Sequence, residues 1–264
     1  MTLPGPARIA DLTRAAWVVY AYPQVILAGA DPALLLAWLS DDERERHARF
    51  RFEEDREAYL VAHALTRRAL GQVAGVAPHE LSFQIGEHGR PELAGPSSAL
   101  ALRFNLSHTR GLVACGVAFG HDIGVDVERI DREVALLGVA RHVFSERENA
   151  GLLSLSGSAQ RLRFFELWTL KEAYVKAIGK GLAAPLKSIS FLPEASDPVA
   201  VHFAEQALDD PSAWCFRRHE PGPGHRLAVA LRAGPLAAVS FGEVSASQLV
   251  EALIIPSSNS QEPT

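Results

Sequence analysis

The order of apolar patterns in this chain runs through once and then begins again. A β-friendly stretch at residues 18–21, a helical pattern and a group of strands come first, and after residue 122 a second helical pattern is again followed by strands. That succession predicts an α+β, pseudo-duplicated fold of two halves, 1–122 and 123–255, with a Ser/Asn/Gln-rich tail at 256–264 expected to be disordered. A chain of 264 residues, 48% of them apolar, can bury enough surface for two small halves or one larger domain.

In the first half, residues 25–27 read as a second β-friendly run broken from the first by Pro23, and Asp31–Pro32 opens a short helix through Leu39. Tyr59, Ala62, His63, Thr66 and Leu70 recur every three or four positions, so a helix is predicted over 54–70, with Gly71 and Gly75 ending it. Strands are predicted at 81–85, 100–106, 112–119 and 123–130, separated by turns at 86–91 and 120–122, which favours antiparallel hairpins. In the second half, a helical pattern occupies 134–139. Ser145 with Glu148 three residues on reads as a capping box, and a strong helix over 160–178 stops at Gly179 and Gly181. Short strands follow at 189–192, 200–203, 214–217, 226–231 and 237–241. A weak echo matches residues 65–71 to residues 173–179.

The net charge of −5 supplies no basic field for nucleic acid or an anionic membrane, and no apolar run approaches the ~20 residues of a membrane span. Cys115 and Cys215 are the only cysteines and form no CxxC pattern, so a reducing, cytoplasmic setting is expected. The only lysines are Lys171, Lys176, Lys180 and Lys187, and three of them fall within ten residues, which invites a role for lysine's compact point charge.

Asp126 and Glu128 are one residue apart on a predicted strand. Period-two geometry puts both carboxylates on one face while Val125 and Val127 point the other way. Two carboxylates side by side repel, and a cation between them relieves the repulsion. Mg²⁺ suits such oxygen donors and keeps positions for water and phosphate. Taken alone, an Asp-x-Glu is more often a solvated strand face. On the helix, Leu167, Leu170, Tyr174 and Ile178 form an apolar stripe, and Glu172 and Lys176 fall well away from it. By itself, Glu followed by Lys four residues on is the ordinary surface pair.

Together these pieces are specific. Gly124-Val125-Asp126-Val127-Glu128, Trp168-Thr169-Leu170-Lys171-Glu172-Ala173-Tyr174-Val175-Lys176 and Gly179-Lys180-Gly181-Leu182 stand in order, preceded by Phe104-Asn105-Leu106-Ser107-His108-Thr109 and followed by Ala184-Pro185-Leu186. This resembles the 4′-phosphopantetheinyl transferase superfamily, in its larger single-chain group acting on carrier proteins of peptide and polyketide synthesis. The resemblance implies a pseudo-duplicated fold with the active site between the halves. It implies transfer of phosphopantetheine from coenzyme A to a serine of an apo acyl- or peptidyl-carrier protein, releasing adenosine 3′,5′-bisphosphate. It also implies Mg²⁺, or else Mn²⁺, on Asp126, Glu128 and Glu172, with Lys176 beside the α-phosphate. Glu172 or Glu148, the latter in Phe144-Ser145-Glu146-Arg147-Glu148, would take the serine proton. Ser107, His108, Arg90 and Arg46 would contact coenzyme A. Since one chain supplies both halves, a monomer is expected.

Two departures from the family pattern stand in the first half. The chain is acidic at Glu43 where many members are basic, and Ala58 follows Asp55-Arg56-Glu57 where an arginine is common, with Arg56 or Arg44 as the available substitutes. They keep open a carrier-binding homologue with weakened coenzyme A affinity. A metal-dependent nuclease is the other alternative, disfavoured by the charge balance and by the Glu-to-Lys spacing of four. The Arg-rich segment 44–51 is where an acidic carrier helix is expected to dock.

Overall fold

The computed structural model describes residues 12–86, 91–179, 181, 184–193, 197–207 and 209–251. Two helices organise it: α4 (Glu53–Ala74) and α7 (Gly157–Ile178). Each is 22 residues long and ends at a glycine in the left-handed region, Gly75 at φ 70° and Gly179 at φ 69°, where a side chain would be strained. Each covers one sheet. The strands β1 (Ala15–Ala21), β4 (Leu102–Thr109), β5 (Leu112–Phe119) and β11 (Ala238–Glu243) form the first sheet in the order β11-β1-β5-β4, under α4. The strands β6 (Ile123–Arg129), β9 (Cys215–His219) and β10 (His225–Leu231) form the second in the order β6-β10-β9, under α7.

The two sheets face each other. Val18, Tyr20, Ala114, Val125, Val127, Leu227 and Val229 meet in a central apolar layer. The opposite faces pack outward. Trp17, Val19 and Cys115 meet α4, and Ala228, Ala230 and Phe216 meet α7. Period-two alternation therefore divides the buried residues of each sheet between the central layer and the core under its own helix. Each half also carries a detached hairpin. In the first, β2 (Ser82–Ile85) pairs with β3 (Pro91–Gly95). In the second, β7 (Ile189–Leu192) pairs with β8 (Ala200–Phe203).

Several local expectations change. Residues 25–27 are helical, inside α1 (Pro23–Gly29), because Pro23 sits at the first turn, where its missing N–H costs nothing. Gly71 does not end α4; it is buried within it. β3 went unrecognised because it starts on a proline, and β6 does not extend the β4–β5 hairpin but crosses to the second sheet. β11 pairs in parallel with β1, and the short helix α8 (Ala246–Val250) packs on α1 and α4. The last described elements thus belong to the first half's sheet, so a division into 1–122 and 123–255 separates pieces that pack together. The tail at 256–264 lies outside the described residues. Among the described residues no helix is long and apolar enough to cross a membrane.

Candidate active site

The first and second sheets meet along β4 and β6, and this seam is bridged by side chains. Asn105 Oδ1 accepts from Val125 N (2.9 Å), and Ser107 Oγ accepts from Val127 N (3.2 Å). Two β6 amides that face no neighbouring strand are satisfied in this way. On the other side of β6, α7 comes in at backbone distance. A Cβ on Gly124 would stand 1.9 Å from Ala173 O and 2.5 Å from Ala177 N. Only glycine admits this approach, and Glu172 and Lys176 are the residues next to those two alanines. In the sequence Gly124 stands only as part of a motif; its physical task is to let helix α7 touch strand β6.

Asp126 and Glu128 are buried on the α7 face of β6, at 6% and 8% exposure. Asp126 Oδ1 accepts from Lys176 Nζ (2.7 Å) and Ser107 Oγ (3.2 Å). Lys176 Nζ also donates to Ser107 Oγ (2.9 Å) and Val125 O (3.2 Å). Glu128 Oε1 accepts from Arg132 Nη1 (2.5 Å) and Trp168 Nε1 (3.2 Å). Glu172 is half-buried beside them. Burial, and then the Asp126 charge, hold its carboxyl above the ordinary value; Glu128 adds to this, while Lys176 and Arg132 oppose it. Burial and then Asp126 likewise raise Glu128, against Arg132 and Trp168. The three carboxylates therefore sense one another's charge.

Asp126 Oδ2 is buried and has no hydrogen-bond partner. An orphaned carboxylate oxygen inside a cluster of acidic groups fits a cation. Among the described residues, however, no three His, Cys, Asp or Glu side chains converge into a ready-made metal cage. Lys176 holds Asp126 and Arg132 holds Glu128, so a metal would have to displace these contacts.

The remaining predicted residues separate. Ser107 is 5% exposed, and its hydroxyl is filled by one acceptor and two donors, leaving it nothing to offer a phosphate. His108 and Arg46 line a cleft of about 750 Å³ that runs over Tyr59, His63, Phe83 and Phe104. Loss of solvent around the His108 ring, and then the Lys176 and His63 charges, push its pKa down. Arg90 lies outside the described residues. Ala58 is buried in the first core. Arg56 and Arg44, the available substitutes, are engaged in helix-surface pairs with Glu53 and Asp41. Glu148 is not brought to the carboxylate cluster. Its Oε2 accepts from Ser145 N and Lys171 Nζ (both 2.8 Å) and its Oε1 from Phe191 N (2.9 Å).

The sequence missed Trp168 as a partner of Glu128, and Glu43 as the anchor of the cleft wall; Arg132, one of two arginines the sequence offers as partners for the strand carboxylates, is the one that reaches Glu128. Glu43 accepts from Arg67 Nη2 (2.6 Å) and pairs with His63 Nδ1 (2.8 Å). The signal for Glu43 was present in Ser40-x-x-Glu43, a capping box that the structure contains.

Comparison with known proteins bears on the same segments. The pattern described as the 4′-phosphopantetheinyl transferase superfamily matches residues 122–231, and that described as the N-terminal part of 4′-phosphopantetheinyl transferase matches residues 30–118. The 4′-phosphopantetheinyl transferase HetI of Nostoc sp. is 35% identical over 197 residues, 75% of this chain and 80% of its own length. The transferase ffp of Bacillus subtilis is 31% identical, over 74% of this chain and 83% of its own. Sfp of Bacillus subtilis strain 168 is 29% identical, over 74% and 82%. With the two patterns meeting where β5 passes into β6, and with a relative of this identity covered over most of its length, the chain belongs to the 4′-phosphopantetheinyl transferase superfamily and is an enzyme of that class.

Proposed function

We propose that this enzyme transfers 4′-phosphopantetheine from coenzyme A to a serine hydroxyl of an apo acyl- or peptidyl-carrier protein, with Mg²⁺ as the supporting metal. The observation that carries this reading is the orphaned Asp126 Oδ2 beside Glu128, Glu172 and Lys176, at the seam of the two halves. Asp126, Glu128 and Glu172 would hold the cation, which when bound neutralises charge on the pyrophosphate oxygens.

The chain's own groups account for the rest. Lys176 is anchored by Ser107 Oγ and Val125 O, so its charge stays at the seam when Asp126 turns to a metal. Its charge would meet the transferred phosphoryl group there, and such transfers depend mainly on positioning and charge neutralisation. The carrier serine Oγ bonds to phosphorus, the bond to the adenosine-side phosphate oxygen breaks, and the serine proton goes to a carboxylate. Glu172, half-buried on α7 one turn before Lys176, is the carboxylate we assign that role. Glu148 does not, because both its oxygens are occupied by fixed donors. The cleft lined by Arg46 and His108 receives the nucleotide end of coenzyme A.

Mass spectrometry of apo-carrier protein after incubation with coenzyme A and Mg²⁺ tests this. A gain of one phosphopantetheine is expected, and it should vanish in Asp126→Ala and Glu172→Ala. Lys176→Ala should slow transfer far more than Lys187→Ala, since Lys187 is exposed on the 3₁₀ turn before β7 whereas Lys176 bonds β6 directly. Absence of any gain across several carriers, or equal effects of the two lysine variants, would overturn the reading.

A further inference from the structure

Each half contains the same assembly of capping box, helix cation and hairpin turn. In the first, the Ser40–Glu43 capping box opens α3 (Asp41–Ala48), and Glu43 receives Arg67 from α4. Arg67 also donates to Pro78 O (2.9 Å) and Leu81 O (2.8 Å), at the two ends of the single 3₁₀ turn leading into β2, and its guanidinium lies 4.9 Å over the Phe83 ring. In the second, the Ser145–Glu148 capping box opens α6 (Glu146–Leu153), and Glu148 receives Lys171 from α7. Lys171 also donates to Leu186 O (2.8 Å) and Ile189 O (2.7 Å), around the single 3₁₀ turn leading into β7, and lies 5.9 Å over the Phe191 ring. Arg67 and Lys171 each stand eight residues before the glycine that ends their helix. This registers residues 65–71 against residues 169–175, one helical turn earlier than the echo legible in the sequence.

We infer that Glu148 and Lys171 are positioning residues for the transfer, the second copy of a staple that ties each long helix to its short helix and its hairpin. The second copy is fully enclosed, with Lys171 at 0% exposure. It fixes the rotation of α7 about its axis. Lys171 faces Glu148 and the hairpin, so Glu172 and, one turn on, Lys176 face Asp126. The same register also distinguishes the two halves. In the helix register above, Arg68 occupies in α4 the place of Glu172, and Gln72 the place of Lys176. The first copy meanwhile has its carboxylate on the cleft wall, shared with His63.

This rests on the transferase reading for its kinetic arm and is independent of it for its stability arm. The variants are Glu148→Gln, Lys171→Met, Glu148→Gln/Lys171→Met and Lys171→Arg, the last borrowing the first half's cation. Urea unfolding, kcat and KM for coenzyme A, and the pH–rate profile are measured on each. Each single break strands a buried polar or charged group, so both singles should unfold at lower urea, and the double should recover much of the loss. Where folded, the singles should lose about 10- to 100-fold in kcat with KM for coenzyme A within about threefold, and the pH–rate limbs should not move. Lys171→Arg should keep kcat within about threefold. Additive losses in the double, or Lys171→Arg failing as fully as Lys171→Met, would overturn the staple. Disappearance of the acidic limb in Glu148→Gln would make Glu148 the base instead. If the wild-type protein modifies no carrier, the transferase reading fails, and the urea coupling between positions 148 and 171 still decides the staple.

Discussion

Gly124→Ala is the sharpest perturbation available, because the new methyl group would meet backbone rather than a side chain able to rotate away. The Cβ would stand 1.9 Å from Ala173 O, whereas real Cβ contacts essentially never fall below 3.0 Å. Strand β6 and helix α7 must therefore separate by about 1.1 Å, the difference of those distances. Inserting a methylene into a packed core costs about 1–3 kcal/mol, and an unyielding backbone neighbour puts this site at about 3 kcal/mol. The displaced helix carries Glu172 and Lys176, so the Lys176–Asp126 contact of 2.7 Å opens as well. A misplacement of that size corresponds to about a 100-fold loss of rate. Urea unfolding measures the first effect, and the initial rate of carrier modification, on protein shown to be folded by circular dichroism, measures the second. Stability within about 0.5 kcal/mol of wild type together with a rate within about twofold would refute the argument that glycine is required for contact between this helix and this strand.

Glu43 should make the first half acid-sensitive. Burial alone would raise its pKa, but His63, Arg67 and the Ser40 amide outweigh it and hold the carboxyl at about 2, against an ordinary 4.5. A depressed carboxylate contributes stability that is complete above about pH 4.5 and is lost as pH falls toward 2. That stability is on the order of 2–3 kcal/mol at neutral pH after allowance for solvent. Glu43→Gln should be less stable at pH 7 and show a flatter acid limb; equal acid limbs in the two proteins would refute it. Asn105→Ala removes the acceptor of the Val125 amide at the seam. It should cost about 1–3 kcal/mol and speed hydrogen exchange at Val125, and an unchanged exchange rate would show that the amide has another partner.

The sequence by itself determined most of the elements and which faces of β6 and α7 carry the carboxylates and Lys176. Alternation placed Asp126 and Glu128 on one face of β6, opposite Val125 and Val127, because a strand has a period of two whatever it packs against. The period of α7 separated Glu172 and Lys176 from its apolar stripe for the same local reason. Tertiary structure decided what no local pattern encodes. The parallel return of β11 to β1 depends on which edge is free once both halves have formed. The tasks of the lysines depend on neighbours far away in sequence: Lys171 is enclosed with Glu148 and two carbonyls, while Lys176, five residues on, reaches β6. Asn105 reads as a residue near the end of a strand and Ser107 as a coenzyme A contact, and only the meeting of two sheets gives their side chains the β6 amides to satisfy. Long-range pairing sets these roles because a polar group's function is fixed by its partner, and partners are chosen by packing, not by sequence spacing.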